Sequence, residues 1–174
     1  MLLAAFALTG CDAIRQQQPG SLVVRNARLI AGAGVAALEL SLDCRLSGPV
    51  QDALEHGIPI TLQVDLQAGR WPHAQMQTRR VELRYFPLSR RYQLREGGGT
   101  DPRSYPTPAY LVAALGALRF DLPASFAELP ATTPLSVSAR LDPAALPGAL
   151  RLPALFEPAW RLASANYAWT LAAR

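Results

Sequence analysis

The chain has no lysine, and only two histidines and two cysteines among its 174 residues, and each shortage removes a class of chemistry. Without lysine there is no Ser-x-x-Lys pair, and Gly97-Gly98-Gly99 lacks both the lysine and the following helix that a phosphate cradle requires. His56 and His73 stand far apart, with no cysteine or carboxylate at ligand spacing, which argues against a zinc site. No Gly-x-Ser-x-Gly elbow and no Cys/His arrangement for nucleophilic attack is found. Long apolar runs are also missing, and nothing approaches the roughly 20 residues of a spanning helix. The expectation is a chain with no catalytic residue, no metal and no cofactor.

What is present begins with an address. Residues 2–8 are apolar and uncharged, and Leu8-Thr9-Gly10-Cys11 follows with the layout of a lipobox, although only Met1 precedes the run and no basic n-region is visible. Cleavage after Gly10 would leave Cys11 as the new N-terminus, ready for thioether attachment of a diacylglycerol. Each buried CH₂ contributes about 0.8 kcal/mol, so several acyl chains hold a soluble body at a bilayer. The expected localisation is the periplasmic side of the cell envelope, and Asp12 favours the inner membrane. The division expected is a signal peptide over 1–10, a lipidated cysteine and polar tether over 11–21, and a single β-rich domain over 22–174. About ten tether residues reach on the order of 33 Å when extended. With Cys11 committed to lipid, Cys44 has no disulfide partner, and its place on the apolar side of a strand makes it a small hydrophobe.

Strand signals dominate the rest. Residues 22–29 form the first, with a turn at Gly32 and Gly34; residues 35–46 alternate, Leu38, Leu40, Leu42, Cys44 and Leu46 inward against Glu39, Ser41, Asp43 and Arg45. Ser47, Gly48 and Pro49 read as a helix start and Gly57 as its stop, with Val50, Ala53 and Leu54 on one face and His56 in the last turn. Residues 58–68 alternate again, with Thr61, Gln63, Asp65 and Gln67 outward and Pro59 marking an edge or a beginning. Residues 76–86 and 91–96 read as a hairpin closed by Pro87-Leu88-Ser89. Residues 97–108 read as a loop, followed by the longer helix, capped by Thr107 and striped by Leu111, Ala114, Leu115 and Leu118. A short helical turn is expected within 124–129 and a strand over 135–141, which residues 146–155 continue irregularly. A last strand over 160–171 changes phase at a bulge near 164–166. Six or seven strands and two short helices make a mainly β fold, an antiparallel sandwich with helical caps.

Four stretches carry a resemblance. Asp52-Ala53-Leu54-Glu55-His56-Gly57-Ile58-Pro59-Ile60, the hairpin Leu83-Arg84-Tyr85-Phe86-Pro87-Leu88-Ser89-Arg90-Arg91-Tyr92, the pairs Leu141-Asp142 and Leu146-Pro147, and Trp160-Arg161-Leu162-Ala163-Ser164 with Trp169 resemble, in that order, the uncharacterised proteobacterial family DUF4390. The segment Trp71-Pro72-His73 is less aromatic than the family's, and Leu150 or Arg151 stands where the family has a polar residue after its proline turn. The resemblance implies no activity; it implies at most a signalling context beside a sensor histidine kinase.

The one polar concentration is Arg79, Arg80, Arg84, Arg90, Arg91 and Arg95, offset by Glu82 and Glu96. With Val81, Leu83 and Tyr85 inward, Arg80 and Arg84 share the outer face, and cross-strand arginines extend it. Such a face suits anionic headgroups or an acidic protein, and outside the cytoplasm it does not suit nucleic acid. The sequence therefore points to a non-enzymatic, lipid-anchored module that binds an envelope protein. The alternative is a small-molecule or lipid-binding module with its site between sheet and helices.

Overall fold

The computed structural model describes residues 19–32, 34–70, 72–97 and 101–171. The signal segment, Cys11, Asp12, Trp71 and the glycines 98 and 99 lie outside them. Two antiparallel sheets pack face to face. The smaller has the order β1-β2-β7, from β1 (Ser21–Gly32), β2 (Val35–Arg45) and β7 (Leu118–Leu122). The larger has the order β6-β5-β4-β3-β8-β9, from β3 (Ile60–Ala68), β4 (Gln75–Phe86), β5 (Arg91–Glu96), β6 (Arg103–Tyr105), β8 (Pro134–Leu141) and β9 (Tyr167–Thr170). Three short helices complete the described residues: α1 (Gly48–Glu55), α2 (Pro108–Ala114) and α3 (Gly148–Phe156).

Alternation explains the layers. Leu38, Leu40, Leu42 and Cys44 of β2 face Ile60, Leu62, Val64 and Leu66 of β3, Val81 and Leu83 of β4, and Leu135, Val137 and Ala139 of β8 in one buried cluster. Their intervening neighbours turn away, because side chains in a strand alternate with period two. β1 keeps this pattern only through a register shift between Val24 and Asn26: Leu22 and Val24 point inward before it, Ala27 and Leu29 after it. The bulged Arg25 pairs with Asp43. A bulge and charges on a twelve-residue edge strand blunt its tendency to recruit another strand.

Register places α1 and α3 at one end. Ser21 opposes Arg45, Ile60 opposes Leu83 and Leu62 opposes Leu141. The start of β1, helix α1, the β4–β5 hairpin, the 3-10 turn Pro143–Ala145, helix α3 and the turn Pro158–Trp160 therefore share what we call the helical end. The turn at Gly34, the turn after Ala68 and the 3-10 turn Ala124–Phe126 lie at the far end. Gly57 closes α1 at φ +82, its N–H donating to Leu54 O at 2.9 Å, a conformation only glycine adopts without strain.

Several expectations are corrected. Residues 97–108 are not all loop, because β6 adds three residues to the sheet beyond β5. The helix after Thr107 is the shortest of the three: Thr107 Oγ1 accepts from Tyr110 N at 3.4 Å, but the helix ends at Ala114, and Leu118 opens β7 where Phe120 pairs with Leu38. Residues 146–155 do not extend a strand; 148–156 are helix α3, with Pro153 inside it. The last strand is broken, not bulged. Trp160 closes a 3-10 turn, Ala163 makes a single bridge to Arg140, and β9 pairs with β8 only from Tyr167. Pro59 marks a beginning, not an edge, since β3 lies inside the sheet. Thr61 keeps its outward parity but is buried.

Cys44 is buried on the inner face of β2, and burial, followed by the adjacent Asp43, pushes its thiol up to about 12 from 9.0. A thiol ionises more readily in the unfolded chain, so this contribution is complete below pH 9 and is lost as the pH rises toward 12, with a slope of about 1 kcal/mol per pH unit. Burial also raises Tyr92, with help from Glu55 and Tyr85, in the same sense. The expected outcome is a Cys44 inert to maleimide in the native state at pH 8. The urea midpoint should fall between pH 8 and pH 10, and fall less in Cys44→Ala.

Candidate functional site

Nothing among the described residues covers most of the outer face of the six-stranded sheet, and that is where the sequence's arginines collect. On β4, Arg80, Glu82, Arg84 and Phe86 point outward; on β5, Arg91, Gln93 and Arg95 do. The register puts Glu82 opposite Arg95, Arg84 opposite Gln93, and Phe86 opposite Arg91. Four of the six predicted arginines thus share one surface. Arg79 has the opposite parity: its Nη2 donates to Asp121 O on β7 at 2.7 Å, so it ties the two sheets together. Arg90 sits in the hairpin at φ 51 and is exposed beside the face.

The electrostatics within the face are uneven. Arg80 Nε lies 3.5 Å from Asp142 Oδ2, and Asp142 is itself fixed by Ala144 N donating to Oδ1 at 3.1 Å. Arg84 Nε is 3.2 Å from Glu82 Oε1 without hydrogen-bond alignment, and its guanidinium carbon stands 5.8 Å from the Phe86 ring centre. Asp65 is fully engaged: Gln63 Nε2 donates to it at 2.9 Å, Thr78 Oγ1 at 2.7 Å, and Arg140 approaches to 3.4 Å. Arg91 donates from Nε to Ser104 Oγ at 3.2 Å, and neither it nor Arg95 has a carboxylate within ion-pair distance among the described residues. Such exposed pairs add little to stability, so the arginines are not explained by the fold's needs.

A shallow hollow of about 380 Å³ dips into this face between Arg80, Glu82 and Arg95, floored by Thr61 and Gly97 and walled by Asp142. Gly97 N donates to Arg80 O at 2.7 Å, and a Cβ there would come within 3.1 Å of the same oxygen. Sequence reasoning missed Arg140, Asp65 and Asp142. Their polar parity was visible, but only the pairing of β3 with β8, seventy residues apart, brings them to the face.

His56 and His73 are exposed at separate places, in the C-cap of α1 and in the turn before β4. His56 Nδ1 is 2.7 Å from Asp52 O. The space between the sheets is filled by side chains such as Phe120, Leu38 and Leu62, each under 2% exposed. An apolar groove of about 450 Å³ opens at the far end between the edges β1 and β9, lined by Leu29, Leu129, Trp169 and Leu171 with Arg28 at its rim. Arg28 is already paired with Glu39 at 2.7 Å. No described helix is long and apolar enough to cross a membrane.

Neither the curated proteins nor the solved structures contain a match to this chain. One family model does match, over residues 20–170, which takes in both sheets and all three helices. The chain belongs to the family described as domain of unknown function DUF4390.

Proposed function

We propose that the protein is a non-enzymatic module, held at the periplasmic side of the envelope by lipid on Cys11, that binds an acidic protein partner through the outer face of its larger sheet. One observation carries the reading: among the described residues, Arg91 and Arg95 stand without carboxylate partners on the same face as Arg80, Arg84 and Arg140, where Asp65 and Glu82, with Asp142 at the rim, oppose them. Guanidinium groups recognise carboxylates bidentately, and an arginine field of this kind speeds encounter and selects partners by charge. The extracytoplasmic region of a sensor histidine kinase is the partner class this reading favours. The second reading, a small-molecule or lipid-binding module, is supported by the groove beside Trp169, although the described side chains between the sheets are close to fully buried.

A photo-crosslinkable residue at Gln93, between Arg91 and Arg95, tests the proposal in native membranes. The expected result is an intact mass showing lipid on Cys11 and one discrete crosslinked envelope protein. Affinity for that protein should fall about 100-fold in Arg91→Glu/Arg95→Glu, because like charges now face one another. No crosslink, or one indifferent to charge reversal, overturns the binding face; an unmodified Cys11 overturns the anchor.

A further inference from the structure

We propose that the helical end of the sandwich is a membrane-docking surface, in which the outer side of α3 and the β4–β5 hairpin tip lie against a phospholipid bilayer. Leu152, Leu155 and Phe156 are 65%, 55% and 73% exposed, and Leu88 at the hairpin tip is fully exposed. Spacing of three and four residues puts the first three on one face of α3, opposite the buried Ala154. Single exposed apolar residues are ordinary, but three on one helix face mark a surface meant to be covered, and Leu88 is exposed at the same end of the sandwich.

The position of the chain's N-terminal side says what covers it. Gly20 is pressed against this end: a Cβ on it would come within 2.4 Å of Leu162 Cδ2 and 3.0 Å of Arg45 O and Ser47 N. Leu162 follows Phe156 by six residues, with the turn Pro158–Trp160 between, so the two are at most about 20 Å apart along the chain. The residues before Gly20, including the apolar run 2–8 and Cys11, therefore join the body at the end that carries the exposed apolar side chains. Nine residues from Cys11 to Gly20 reach no more than about 30 Å, which keeps that end near any membrane holding Cys11. Charge agrees. Arg45, Arg90, Arg151 and Arg161 are exposed there with no ion pair among the described residues, against the carboxylates Asp52, Glu55 and Glu157. Aliphatic and aromatic side chains flanked by arginine suit the boundary between acyl chains and headgroups.

The inference extends the anchored-module reading but is tested without the lipid. The full chain carrying Cys11→Ser and Leu155→Cys is labelled with an environment-sensitive fluorophore and mixed with phosphatidylglycerol/phosphatidylethanolamine vesicles; Val35→Cys at the far end serves as control. Blue-shifted emission and quenching by nitroxide lipids are expected at position 155 and not at 35. Both should disappear when Leu152 and Phe156 are also replaced by Ser, although the apolar run 2–8 is unchanged. A label at 155 that stays in water with vesicles present overturns the proposal. So does a shift without vesicles, which means a second copy if it rises with protein concentration and the chain's own N-terminal run if it does not. The anchor stands or falls separately, on the mass of Cys11.

Discussion

Phe120→Ala is expected to lower the free energy of unfolding by about 3–5 kcal/mol, and the urea midpoint by about 2 M with little change in slope. Phe120 lies on β7, the short outer strand of the smaller sheet, opposite Leu38 of β2, and is 1% exposed. Its ring is the largest fully buried side chain among the described residues. A strand of five residues cannot shift to close the space, because its hydrogen bonds to β2 run from Leu118 through Leu122. Phe120→Leu, which keeps most of the volume, should cost about 1 kcal/mol. Since a domain of this size is stable by only about 5–15 kcal/mol, the alanine variant should be partly unfolded in mild heat. Equal midpoints for the two variants would mean that the ring does not fill the space between the sheets.

Glu96→Ala should destabilise by about 2–3 kcal/mol, the largest effect expected of any polar substitution here. Glu96 is 8% exposed at the end of β5. Its Oε1 accepts from Arg103 on β6, and its Oε2 accepts from the backbone N–H of Arg119 on β7 at 3.0 Å. One carboxylate thus joins the edge of the larger sheet to the smaller one, alongside the bond from Arg79 to Asp121 O. Alanine leaves the Arg119 N–H without this acceptor and frees β6, a strand of only three residues. Hydrogen exchange should report the damage locally, with faster exchange at Arg119 and along β6 than at β3, which is flanked on both sides. Arg103→Ala should cost less, because Arg103 is 43% exposed and water replaces part of what is lost.

The parts that could be read from the residues are those decided by neighbours a few positions apart. The alternations of β2, β3 and β8, the hairpin of β4 with β5, the proline-led starts of α1 and α2, and the glycine stop at Gly57 all follow from local sterics and period. The failures share a cause. Residues 118–122 and 103–105 are too short to show a period, and they become strands because β2 and β5 present free backbone groups to them. Residues 148–156 contain a proline and end in exposed leucine and phenylalanine, so their pattern resembles neither a buried strand nor an amphipathic helix packed on a core. If that face meets a bilayer, its pattern makes sense only with the membrane included.

The arginine cluster shows the same boundary. Chain order and strand parity were enough to put Arg80 and Arg84 on one side and to bring Arg91 and Arg95 beside them, since a hairpin's register is local. Side-chain periodicity likewise settled a mainly β body, whereas the family rested on the four motif stretches and the match over residues 20–170. Which sheet each strand joins, the reach of Arg79 to the opposite sheet, the arrival of Arg140 next to Asp65, and the gathering of α3, Leu88 and Gly20 at one end were decided by packing alone. These depend on contacts between residues dozens of positions apart, whose closure is set by how two sheets bury a common set of leucines, and no short-range pattern encodes that.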